Sequence, residues 1–107
     1  DVDIMCIPAA PVPPFPVEQL TIKEINGEPL RTYFHWLALT YAITNTGHPA
    51  ISIPSGLDPT GTPLGLQIVG PHHGDKFVLE AAAALEAHLA ADPAIARPVP
   101  NLANLST

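Results

Sequence analysis

The sequence predicts an α/β fold of about three strands and two main helices, from two patterns of spacing and one of composition. Residues 50–54 and 64–69 read as short buried strands joined by a connection rich in proline and glycine. Residues 76–90 place Val78, Ala81, Ala82, Leu85 and Leu89 on one face of a helix. Of 107 residues, 47% are apolar and only 13% charged, against a usual charged share of roughly 25%. The mean hydropathy is +0.24. A domain this small needs polar residues to cover its surface, so the composition predicts that more protein covers part of it.

Taken in order, residues 2–7 are β-branched and apolar on both faces, which suits a strand buried on two sides. Cys6 is the one cysteine, which excludes an internal disulfide framework. Flanked by Met5 and Ile7 and lacking an electropositive neighbour, it reads as a small buried hydrophobe and not as a nucleophile. Residues 8–17 hold Pro8, Pro11, Pro13, Pro14 and Pro16. These remove donors and fix φ, so the stretch forms an extended connector. Residues 18–30 are polar and irregular, with a turn signal at Asn26-Gly27 that would suit a short hairpin.

Residues 31–44 form the first predicted helix, with Pro29 before its first turn and Gly47 past its end. Tyr33, Phe34, Trp36, Leu37, Leu39, Tyr41 and Ile43 cover all its sides. A helix apolar all round is a buried helix, and a chain of this length has little room to bury one. In the strand pair, Ile51 and Ile53 share one face and Leu66 and Ile68 another. The connection between them is too short for a helical crossover, so the pair should be antiparallel. Asp75 is a candidate N-cap for the second helix, whose Lys76, Glu80 and Glu86 point outward. Asp92-Pro93 stops that helix, and residues 92–107 read as an extended tail. The whole chain reads as one part of a single domain.

Charge and motifs exclude several functions. Ten acids against four bases give a net charge of −6 with no basic run. Nucleic acid and anionic membranes are therefore poor partners. No apolar run approaches the roughly 20 residues of a membrane span, and the lone cysteine is compatible with a reduced cytoplasmic setting. The chain opens on Asp1-Val2-Asp3 instead of methionine, as a fragment entering in mid-element would. His72 and His73 are adjacent and match no zinc-ligand spacing, so they read as a solvated loop before a helix. Ser52 and Ser55 sit in and after a strand without a Gly-x-Ser-x-Gly elbow, so strand and turn structure accounts for both. No phosphate-binding glycine loop is present. The residues thus predict no metal, no cofactor and no complete catalytic set.

Four ordered motifs carry a resemblance. Gly47-His48-Pro49-Ala50-Ile51-Ser52-Ile53-Pro54 resembles the Gly-x-Pro turn and Ala-Ile-Ser-Val-Pro-like strand of the amidase signature family. Pro63-Leu64-Gly65-Leu66-Gln67-Ile68-Val69-Gly70 is similar to that family's Gly-Leu-Gln segment, and Asp3-Ile4-Met5-Cys6-Ile7-Pro8 to its Asp-led strand. The alanine-rich second helix falls where the family has one. The resemblance implies the C-terminal part of a large domain, with a mixed central sheet sandwiched by helices. It also implies hydrolysis of a carboxylic amide by a Ser-cisSer-Lys triad. No triad residue transfers here, because Lys23 and Lys76 lie outside the family's lysine context. The catalytic residues would lie upstream and the fragment alone would be inactive.

In the family, the helix before Gly47 would line the acyl pocket, which makes Trp36, Leu37 and Thr40 the candidate substrate-binding residues. The amidotransferase A-subunit branch has an Asp where this chain has Leu37. A more apolar amide is therefore implied. The partners implied are the remainder of the amidase domain, a small amide substrate and a second copy in a homo-oligomer. The competing reading, from a different class, is a small interaction module that docks through its apolar helix.

Overall fold

The strand signals at the centre of the sequence become the hairpin around which the rest is arranged. In a computed structural model that describes residues 2–105, β4 (Ala50–Leu57) and β5 (Pro63–Val69) pair antiparallel with Ile51 opposite Ile68 and Ile53 opposite Leu66. The register slips between Pro54 and Leu57, a β-bulge. On the other side of β5 lies β1 (Met5–Pro8), also antiparallel, so the sheet order is β1-β5-β4. A second, two-stranded ribbon joins β2 (Glu24–Ile25) to β3 (Glu28–Pro29). Its turn residues Asn26 and Gly27 have φ of 54° and 82°. Both lie in the left-handed region, as the tight hairpin turn requires.

Two α-helices follow. The first, α1 (Ala38–Thr46), is preceded by a 3-10 turn over Tyr33–Leu37 and ends on Gly47 at φ 72°. The second, α2 (Asp75–Leu89), lies across one face of β4 and β5. Its predicted apolar stripe is its inner face: Val78 and Ala82 are buried there, Ala82 beside Ile53 and Ile68. Ile4, Ile51, Leu66, Leu85 and Leu89 pack around this core. Gly70 lets the helix approach this closely. A Cβ built on it would stand 2.2 Å from Val78 Cγ2, a distance no side chain tolerates.

The α/β fold class and its main elements are therefore as the sequence predicted. Four details differ. The 31–44 helix begins as a 3-10 turn and runs on to Thr46. Asp75 is the first residue of α2 and not its cap, since Gly74 holds that position without a side-chain cap. Strand β1 is not buried on two faces, and Cys6 is exposed. The cause is position: β1 is an edge strand, and α2 lies on β4 and β5 and not on it. The tail is not extended throughout, because Ile95 and Ala96 hydrogen-bond back to Asp92 and a short 3-10 turn covers Leu102–Leu105.

The expectation of a cover is supported quantitatively. The chain exposes 7964 Å², where a compact domain of its mass would expose about 5,700 Å². Its radius of gyration is 16.0 Å, against roughly 13 Å for a compact domain of this length. Tyr33, Phe34 and Tyr41, on the 3-10 turn and α1, are all exposed, and neither element has a buried residue.

Candidate functional site

Strand alternation divides the sheet into two unlike faces. Ile51, Ile53, Leu66 and Ile68 face α2. Ser52, Gly65 and Gln67 alternate with them and so stand on the opposite face. Two hollows open beside these opposite-face residues. The first, about 600 Å³, lies between the proline-rich connector and β5 and is lined by Phe15, Trp36, Ser55 and Leu66 among others. The second, about 460 Å³, is bounded by α1 and the strands and lined by Thr40, His48, Ser52, Gln67, His73 and Asp75.

The three candidate substrate residues are not brought into one pocket. Trp36 lines the first hollow, its ring edge-on to Phe15 at 6.0 Å and to Tyr33 at 6.2 Å. Its indole Nε1 is buried and meets no acceptor. Thr40 lines the second hollow, with its hydroxyl donating to the Leu37 carbonyl at 2.7 Å. Leu37 lines neither hollow. Side chains one helical turn apart can share a face, but the change from 3-10 to α geometry falls between Trp36 and Thr40.

The second hollow gathers a serine, two histidines and a carboxylate, the ingredients of a hydrolytic triad. No hydrogen bond joins them among the described residues. His48 is committed elsewhere: its Nδ1 lies 2.7 Å from the Gly70 carbonyl oxygen, and its ring lies tilted against that of His72, centroids 3.8 Å apart. This pair ties the turn before β4 to the loop after β5, a structural role that spacing along the sequence could not reveal. Among the described residues no group of three or more His, Cys, Asp or Glu could hold a metal ion.

Two features went unread in the sequence. Gln67 is only 8% exposed, and its Nε2 is buried without a hydrogen-bond partner. The available signal was one carboxamide in an otherwise apolar strand. Asp58, in the connection between β4 and β5, accepts from the Thr60 amide and hydroxyl at 2.8 and 2.7 Å and from the Thr62 amide at 2.9 Å. Hydrogen bonds from Thr62, then Thr60, hold its carboxyl well below the usual carboxylate range.

A family model described as Amidase matches residues 1–79. Over 87 residues the chain is 40% identical to the glutamyl-tRNA(Gln) amidotransferase A-subunit of Alkaliphilus metalliredigens, covering 81% of this chain and 16% of that protein. The corresponding protein of Protochlamydia amoebophila is 42% identical over 88 residues, 81% of this chain and 17% of the relative. An acylamidase of Rhodococcus erythropolis is 36% identical over 88 residues, 81% and 18%. The chain thus spans less than a fifth of the length of these curated relatives. No solved structure matches it. No helix among the described residues is long and apolar enough to cross a membrane. The family match takes in β1, the connector, both strands of the central hairpin and the start of α2, and on that ground the chain belongs to the amidase family.

Proposed function

We propose that this chain is the C-terminal portion of an enzyme that hydrolyses a carboxylic amide C–N bond. The match of residues 1–79 to the amidase family model carries this reading. The bond would be cut by a Ser-cisSer-Lys triad lying upstream of the chain. In that mechanism the serine attacks the amide carbonyl, the lysine takes its proton through the bridging serine, and backbone N–H groups stabilise the oxyanion. This segment completes the sheet and contributes to the substrate pocket through Trp36 in the first hollow and Thr40 in the second, with Leu37 outside both. The remainder of the amidase domain covers the exposed aromatic side. The surface in excess of a compact domain, about 2,200 Å², is of the size that obligate interfaces bury.

The test is hydrolysis of an aryl amide by the purified 107-residue chain and by the full-length protein that carries it. The expected result is turnover by the second only. Turnover by the chain alone overturns the upstream placement, and a full-length protein that cleaves no amide overturns the reading. The 40% identity to a glutamyl-tRNA(Gln) amidotransferase A-subunit favours a second reading, in which the parent is a protein of that kind. Leu37, in place of the carboxylate implied for that branch, favours an apolar amide. Release of ammonia from glutamine in preference to aryl amides would decide for the amidotransferase.

A further inference from the structure

Gln67 presents a problem that its own chain does not solve. Its neighbours along β5 are apolar, and the strand alternation turns it away from the core formed with α2. Yet it is buried, and its Nε2 has no acceptor. Turning the carboxamide over would only bury its oxygen there instead, because no hydrogen bond reaches the side chain from any described residue. Buried polar groups in folded proteins are nearly always paired, so an unpaired one lining a hollow points to something that enters it.

The surroundings narrow what that is. Ser52 is the cross-strand neighbour of Gln67 on the same face, and its hydroxyl also has no partner among the described residues. Thr40, across the hollow, has its proton committed to the Leu37 carbonyl and so can only accept. The floor therefore offers a carboxamide with donor and acceptor side by side and a hydroxyl that can do either. That pair is complementary to another amide group, in a hollow that Asp75, His48 and His73 also line. Gly65 stands next to Ser52. It lines the apolar hollow beside Trp36, and a Cβ on it would stand 3.1 Å from Ser52 Oγ and 3.0 Å from Ala9 Cβ. Gly65 therefore packs tightly between Ser52, which lines the second hollow, and Ala9, which lines the first, with no room for a side chain.

We propose that Gln67 and Ser52 form the subsite for the amide group of the substrate. This rests on the reading of amide hydrolysis above. The same chemistry could be supplied by a backbone peptide group from the rest of the domain, and the two sources separate in kinetics.

In the full-length enzyme with benzamide as substrate, Gln67→Leu and Ser52→Ala should each raise KM about tenfold with kcat within about threefold. An unchanged KM with a lowered Tm in Gln67→Leu means that Gln67 pairs with backbone, which overturns the proposal. If Gln67→Leu fails to fold, the exposed Ser52→Ala decides alone, and an unchanged KM in it overturns the subsite. If the full-length protein cleaves no amide, the functional reading has failed on its own. The subsite is then judged by calorimetric binding of benzamide: binding that Ser52→Ala weakens supports it, and the absence of binding overturns it.

Discussion

The two halves of this chain solve the problem of burial differently. From Gly47 onward, the hairpin and α2 pack against each other, and every fully or nearly fully buried apolar side chain among the described residues lies there: Ile53, Ile68, Val69, Val78 and Ala82. Before Gly47, the connector, the small ribbon and α1 hold most of the aromatic residues and bury none of them fully. Apolar content alone does not make a core. In the second half the apolar residues recur at strand or helix spacing and meet a partner element, while in the first they point in all directions and meet one another only edge-on, without a facing element to bury them.

This contrast can be broken by measurement. The largest effect is expected at Ile68, whose side chain is fully buried. Ile68→Ala should destabilise the chain by about 2–5 kcal/mol in urea denaturation. A loss below about 1 kcal/mol would mean that the hairpin half has no consolidated core.

A smaller effect, tied to pH, is expected in the connection between β4 and β5. The Asp58 carboxyl is held below its unfolded value by Thr62 and Thr60. Its contribution is therefore fully present above the unfolded value of about 3.9 and is lost as pH falls toward the folded one. Asp58→Asn should be less stable than the parent chain at neutral pH, and the gap should close as the solution is acidified below about pH 4. A gap that stays constant with pH would show that the turn does not depend on the charge. Smallest of all should be Tyr41→Ala on exposed α1, within about 0.5 kcal/mol in the isolated chain. A cost equal to that of Ile68→Ala would erase the distinction between the halves.

How much of this was legible follows the same division. The hairpin and α2 could be read because Ile51, Ile53, Leu66 and Ile68 alternate and Val78, Ala82 and Leu85 recur at helical spacing. Periodicity names an element when one face is buried within the same chain. Residues 31–44 carry no such phase, so nothing in them marked where a 3-10 turn gives way to α1. The exposure of Cys6 was illegible for a related reason. A run apolar on both faces looks alike in a central strand and in an edge strand whose neighbour is missing. Asp75 has the chemistry of a cap, but the turn through His73, at φ 60°, gives the cap position to Gly74. Among the candidate site residues, the sequence marked Trp36 and Thr40 but could not separate their hollows. It gave no hint that His48 would lie on His72, since that contact exists only once β4 and β5 are paired.

The sheet order has a kinetic consequence. Strands β4 and β5 and helix α2 follow one another along the chain, so their contacts close short loops and can form early. Strand β1 must return across the whole connector, ribbon and α1 to reach the far edge of β5, pairing Met5 with Val69. Its closure is slower, and until it happens β5 presents an unpaired edge. During refolding, amide protection should therefore appear along the β4–β5 hairpin before it appears at Cys6 and Ile7. The time between the two is when a chain of this kind is most open to pairing with another copy of itself.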